Sequence, residues 1–299
     1  MIHRVVELQE PGLHTHVERG FLVVHASREE RGRVPLDDVG VLMCTGPGST
    51  VSSAALVALA ERSVCTVVCG ENYHPKAIVL PYDTHHLHRQ RLEAQIGASE
   101  PLKKRLWQQI VRAKIAGQSA TLTRCAASDP TLEVLIARVG SGDPDNVEAQ
   151  AARRYWSSLF GESFTRDQAR PGLNGLLNYG YAILRAATAR SLVAAGLYPA
   201  LGLHHRNLGN AFVLADDLME PFRPLFDASV HGLWRANGAE VNKIAKQTLA
   251  RLLVSDVAMP DGYTILANAL NTAAQSLAKS LIEGYPHLEL PESLYPASE

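Results

Sequence analysis

Short runs of β-branched and apolar residues, broken at close intervals by turn residues, fill the first eighty positions. VVEL (5–8) and THVE (15–18) flank Pro11-Gly12, and FLVVH (21–25), VGVLMC (39–44), SVCTVVC (63–69) and KAIVL (76–80) follow. Gly32, Gly46-Pro47-Gly48, Gly70 and Pro75 separate them, so each run reads as a strand. One stretch departs from this texture. SSAALVALAER (52–62) spaces its apolar residues three and four apart, with Ser52 or Ser53 as a candidate N-cap. The pattern predicts a small β-rich domain over 1–83 carrying one helix.

From residue 84 the period changes. RQRLEAQIG (89–97), the stretch 102–122, TLEVLIARV (131–139), the stretch 146–160 and LNGLLNYGYAILRAATARSLVAAG (173–196) all place apolar residues on one helical face. Two more helices are expected near 239–254 and 262–283. GSGDPDN (140–146) interrupts the series, and Asp145 or Asn146 is positioned to cap the helix behind it, which puts Glu148 in that helix's first turns. The tail beyond Gly284, with Pro286, Pro291 and Pro296, reads as irregular. The fold class is therefore α+β: a small β-rich N-terminal domain followed by a larger, all-helical domain over 84–299. There is no internal repeat and no low-complexity linker.

Composition narrows the class. A 299-residue chain with 46% hydrophobic residues can build a substantial core. No apolar run approaches the roughly 18–20 residues of a membrane span, and MIHRVVELQEPG lacks a basic segment leading into an apolar one. A soluble cytoplasmic protein without membrane association is the expectation. Cys65 and Cys69 have no second pair of soft ligands at zinc spacing, so the four cysteines (Cys44, Cys65, Cys69, Cys125) read as reduced thiols. Net charge is −1, but residues 84–127 carry eight basic residues (Arg89, Arg91, Lys103, Lys104, Arg105, Arg112, Lys114, Arg124) against Glu93 and Glu100. Such a segment can track phosphates, with Lys103, Lys104 and Arg105 as the candidate DNA contacts; a solvated helix face reads the same way.

The chemistry concentrates in LGLHHRNLGNAFVLADDLMEPFRP (201–224), where His204, His205, Asp216, Asp217, Glu220 and Arg223 interleave with apolar residues. Charges in that setting are costly unless paired or metal-bound. Each has a plain alternative. Glu148 complements a helix dipole and lies within helical reach of Arg153 and Arg154. Adjacent histidines point apart, so at most one faces a given site. Asp217 and Glu220 have the spacing of a capping box, and Pro221 suits a first turn. Taken together, two carboxylates and one imidazole make an open oxygen–nitrogen site of the type that holds Mg²⁺ or Mn²⁺ and stabilises charge building on a phosphate. No phosphate-loop, dinucleotide or nucleophile-elbow motif competes with it.

Three stretches are more specific than this: NVEAQAARRYWSSLFG (146–161), GLNGLLNYGYAILRAATARSL (172–192) and the 201–224 segment. Together they resemble the CRISPR-associated integrase, the catalytic subunit of the spacer-acquisition complex, in its type II-like form, and the resemblance runs the length of the chain. It implies metal ligands at Glu148, His205 (rather than His204) and Glu220, which are also the catalytic residues, with Asp217 as a supporting acid beside Arg223. It implies a homodimer through the β-rich domain and a small ferredoxin-like CRISPR-associated partner that bridges two dimers into a heterohexamer. It implies double-stranded DNA substrates, a captured fragment and a CRISPR repeat. The implied reaction is metal-dependent transesterification, a 3′-hydroxyl attacking a phosphodiester at the repeat edge. Leu208-Gly209 departs from the family's usual polar-aromatic pair. The competing readings are a stand-alone metal-dependent, structure-selective DNA nuclease and a catalytically dead DNA-binding scaffold.

Overall fold

The computed structural model describes residues 4–70, 73, 75–81 and 85–295. The chain forms two compact units, Met1–Thr84 and His85–Glu299. The expected boundary falls among residues 82–84, and Pro296 in the tail; both lie outside the described residues.

In the first unit, VGVLMC forms β5 (Val39–Cys44), whose burial along almost its whole length explains a continuous apolar run in place of an alternating one. It sits inside a sheet ordered β1 (Arg4–Leu8), β5, β7 (Cys65–Cys69), β8 (Pro75–Val79), in which β1, β5 and β7 are parallel and β8 is antiparallel. A second sheet runs β4 (Glu29–Pro35), β3 (Phe21–Ala26), β2 (Leu13–Glu18), β6 (Thr50–Val51). Helix α1 (Ser53–Ala60) starts at Ser52, whose hydroxyl accepts from Ala55 N at 3.2 Å. Leu8, Leu22, Leu42 and Leu59, from both sheets and α1, share one core. Sequence patterning misses β4 because EERGRVP has no apolar period. It is an exposed edge strand, where charge is the usual protection against unwanted pairing.

The second unit is built around α6 (Leu173–Ala194), buried along most of its length and packed by α7 (Val213–Leu218), α8 (Arg223–Asn237), α9 (Lys243–Arg251) and α10 (Leu266–Glu283). Helix α3 (Glu100–Arg124) packs against α4 (Thr131–Arg138), α5 (Val147–Phe160), α8 and the 3-10 turn Glu220–Phe222; α2 (His88–Gly97) lies on α10. The unit is not wholly helical. Asp256–Met259 (β9) and Gly262–Ile265 (β10) form an antiparallel hairpin around Pro260-Asp261, so the helix expected from 262 begins at Leu266. The proline-aspartate-glycine turn overrides the helical spacing there. The helix expected over 239–254 is α9, shorter because the Asn242 side chain caps it by accepting from Ala245 N at 3.0 Å. The chain is thus α+β. Among the described residues no helix is long and apolar enough to cross a membrane, and all four cysteines are free thiols.

Candidate active site

Glu148 stands in the first turn of α5, and its placement is set by a residue the sequence pattern passes over. Neither Asp145 nor Asn146 caps this helix by a side-chain bond; Asn146 occupies the left-handed region at φ 50°. The cap is Asp143, whose two carboxylate oxygens accept from Val147 N (2.8 Å) and Glu148 N (2.9 Å). Pulling the chain back by three residues lets one carboxylate satisfy two of the helix's orphan donors. The Glu148 side chain meets neither Arg153 nor Arg154 in an ion pair. Arg154 binds Asp129 at 2.8 Å, and Glu148 pairs instead with Lys114.

Lys114 comes from the middle of α3, on the face that also carries Gly117 and Thr121. That face lies hard against the Glu220–Pro224 turn. A Cβ on Gly117 would sit 3.0 Å from Leu294 and 3.3 Å from Pro224, and the Thr121 hydroxyl donates to Pro224 O at 3.1 Å. The close approach brings the nearly buried Lys114 ammonium between two carboxylates, in contact with Glu148 and 2.6 Å from Glu220 Oε2. Arg223 holds the other Glu220 oxygen at 3.2 Å and lies over the Tyr181 ring at 4.9 Å. Burial works against the Glu220 carboxylate, but Arg223 and Lys114 outweigh it and hold its pKa below the usual range. Burial likewise disfavours the Lys114 ammonium, and Glu220 and Glu148 overcome it, so its pKa is raised.

The two histidines separate cleanly. His204 lies flat on Trp107, ring centroids 4.4 Å apart and planes 2° apart. His205 turns its Nδ1 to Asp217 Oδ1 at 2.5 Å, and this contact, with burial opposing it, raises the His205 pKa. Asp217 is fully buried, and its second oxygen accepts from Leu203 N (2.7 Å) and His204 N (3.1 Å). These bonds dispose of the capping-box alternative: Asp217 ends α7 instead of opening a helix, and its acceptors are spent on the histidine loop. Gly202 makes the arrangement possible, because a Cβ there would meet Val213 at 2.4 Å and Asp217 Oδ2 at 3.0 Å. With Nδ1 committed to Asp217, Nε2 is the ring atom left for chemistry, and the charges of Glu220 and Glu148 act on this imidazole.

The remaining candidates lie apart. Asp216 pairs with Arg185 at 2.7 Å and accepts from Asn210 at 2.6 Å, bracing the loop behind the histidines. Of the basic segment, Arg91 donates to Ala195 O, Arg112 to Val139 O, and Lys114 is buried in the site. Of these only Lys114 is buried; Arg91 and Arg112 brace backbone carbonyls from the surface. Lys104 and Arg105 are exposed, and Lys103 is half-buried 3.9 Å from Glu100. Sequence reasoning counted Lys114 among these surface cations. The signal that separates it is its register, since Ile110, Val111, Ile115, Gln118 and Leu122 on the same helix are all buried.

Among the described residues no three His, Cys, Asp or Glu side chains converge as a ready-made metal cage. The donors nevertheless suit a hard divalent cation. Two carboxylates from separate elements already face one cationic point, filled by an ammonium, and an imidazole in the tautomer that a carboxylate partner enforces stands by.

Comparison with known proteins agrees with this architecture. Residues 6–257 match the family profile described as CRISPR associated protein Cas1. The chain is 38% identical over 283 residues to the CRISPR-associated endonuclease Cas1 of Neisseria meningitidis serogroup C, spanning 93% of this chain and 92% of that relative. Two solved structures share the fold. One is a casposase bound to integration product (TM-score 0.83, 19% identity, 99% of this chain and 95% of that one). The other is a Cas6-RT-Cas1–Cas2 complex (TM-score 0.76, 17% identity, 100% of this chain and 37% of that one). The chain belongs to the CRISPR-associated Cas1 family.

Proposed function

We propose that the protein is a metal-dependent DNA integrase of CRISPR adaptation, with Glu148, His205 and Glu220 holding Mg²⁺ or Mn²⁺. The observation that carries the reading is the convergence of the Glu148 and Glu220 carboxylates on a single cationic point, together with the locked orientation of His205. When bound there, the metal supplies stabilisation of phosphate charge and orientation of the attacking hydroxyl. The chain's own residues do the positioning. Asp217 holds His205 with Nε2 outward, Arg223 pins Glu220, and Asp143 fixes the helix start that presents Glu148. In the reaction the 3′-oxygen of a captured fragment bonds to phosphorus at the repeat edge. The P–O3′ bond of the repeat strand breaks, and that strand leaves as a free 3′-hydroxyl, its oxygen taking up a proton.

The relatives and neighbours support the wider setting. An integration product bound to a casposase favours strand transfer, and a complex containing Cas1 and Cas2 favours a Cas2 partner. A homodimer held by the β-rich unit, joined by the ferredoxin-like partner into a heterohexamer, completes the proposal; the β-sheet edges at β1 and β8 are its natural contact elements. The word endonuclease in the relative's name keeps a stand-alone nuclease as the second reading. Incubating a labelled fragment with a supercoiled repeat-bearing plasmid and Mg²⁺, with and without the partner, separates them. Label joined to plasmid supports integration; nicking without joining in both arms leaves the nuclease. Light scattering that finds a monomer at micromolar concentration overturns the dimer.

A further inference from the structure

Lys114 stands where the proposed function requires a metal, and this makes the order of events at the site a question of charge. Three buried or half-buried carboxylates, Glu148, Glu220 and Asp217, surround a buried cation, Lys114, and a half-buried one, Arg223. A divalent cation brought to Glu148 and Glu220 meets an ammonium already in contact with both carboxylates. Inside a protein, where Coulomb interactions are far stronger than in water, that like-charge contact opposes binding until the ammonium moves to another anion, and a phosphodiester is such an anion.

The geometry points the same way. The ammonium contacts both carboxylates, so it and a metal cannot occupy that point together. Arg223, half-buried, is fixed by Glu220 on one side and the Tyr181 ring on the other. Lys114 has a flexible four-carbon stem and is the cation able to move. Once released, a nearly buried ammonium needs another anion, and the carboxylates nearest to it are already committed.

We propose that Lys114 is a resident cation that keeps Glu148 and Glu220 apposed in the metal-free protein. It gives up its place only when a phosphodiester arrives to receive it, so metal and DNA bind with positive coupling. The proposal rests on the metal-site reading above. Lys114 is thereby a positioning residue with two duties: it holds two like charges together before the reaction, and it restrains the metal-loaded state until substrate is present. By linkage the effect is reciprocal, and DNA should bind more tightly in the presence of metal by the same factor.

The test is direct Mn²⁺ binding, read by the electron paramagnetic resonance signal of the free ion. Wild type, Lys114→Met and Glu220→Gln are each titrated with and without a branched DNA duplex. Wild type should bind Mn²⁺ more tightly with DNA by roughly 5–150-fold, the usual range of such couplings. Lys114→Met should bind Mn²⁺ at least about tenfold more tightly than wild type without DNA, and should lose most of the DNA effect. Its melting temperature in chelator should fall, because two carboxylates are left facing each other, and Mn²⁺ should restore it. If the variant does not fold in chelator, it is prepared in Mn²⁺, and the effect of DNA on the rate of Mn²⁺ release is compared between it and wild type. Equal wild-type affinity with and without DNA overturns the proposal, as does Mn²⁺ binding that responds to Glu220→Gln but not to Lys114→Met. Binding indifferent to Glu220→Gln overturns the metal-site reading itself, and the proposal with it.

Discussion

Asp217→Asn separates the orientation of His205 from the folding of its loop. Asp217 accepts three hydrogen bonds: Leu203 N at 2.7 Å and His204 N at 3.1 Å on one oxygen, His205 Nδ1 at 2.5 Å on the other. Asparagine has the same shape but one oxygen and one amide nitrogen. If the oxygen faced His205, two backbone N–H groups would meet an NH₂, and each buried donor left unmatched costs about 1–3 kcal/mol. The backbone pair outweighs the ring, so the oxygen stays with Leu203 and His204, and the NH₂ faces His205. Nδ1 must then accept, which places the ring proton on Nε2 and removes the lone pair a metal would use. Loss of such a supporting group costs roughly 10–100-fold in metal affinity, or about 1.4–2.8 kcal/mol. Folding loses at most one charge-assisted hydrogen bond, about 1.5–3 kcal/mol. The assays are Mn²⁺ binding, ¹⁵N spectra of the histidine tautomers, and melting. Metal affinity within twofold of wild type, or an Nδ1-protonated His205 in the variant, would refute the reasoning.

Three further outcomes follow from the same geometry. Glu220→Gln should abolish strand transfer and also destabilise the metal-free protein by about 3–5 kcal/mol, since it strips Lys114 and Arg223 of a buried partner; chemical denaturation of this variant and of Glu220→Gln combined with Lys114→Met should show partial recovery in the double variant. Neutralising Lys103, Lys104 and Arg105 together should reduce the slope of log DNA affinity against log salt by roughly 1–2, and an unchanged slope assigns those residues to ordinary solvated surface. Burial pushes the Asp227 carboxyl up to about 7, even though Tyr181 and Tyr155 donate to it. A folded-state pKa above the unfolded value means stability is greatest at low pH and is lost as pH rises from about 4 to about 7. Asp227→Asn should flatten that part of the stability profile, by up to about 4 kcal/mol at one pH unit per 1.36 kcal/mol; a profile as steep as wild type contradicts the burial argument.

Periodicity along the chain was enough to find most strands of the first unit and nearly every long helix of the second, because those elements bury an apolar face and must repeat at two or near 3.6 residues. It passed over α8 (Arg223–Asn237), which buries Leu225, Phe226, Val230 and Leu233, and it failed where that link breaks. β4 carries charge on an exposed edge, and β9 and β10 follow a turn that interrupts a helical spacing. The residue types of the candidate site were equally legible, since carboxylates and histidines amid apolar residues demand partners. Which partners they take depends on contacts between segments distant in sequence. Lys114 reaches Glu148 and Glu220 only because Gly117 lets α3 lie against the Glu220 turn. Asp217 turns away from the cap its spacing suggested because Gly202 lets the histidine loop fold over it. Asp143 in place of Asn146 caps α5 because a left-handed residue bends the chain back. Local pattern carries hydrophobic phase and residue chemistry, whereas the pairing of charges across 34 or 106 positions is settled by close packing of backbones that no local window contains.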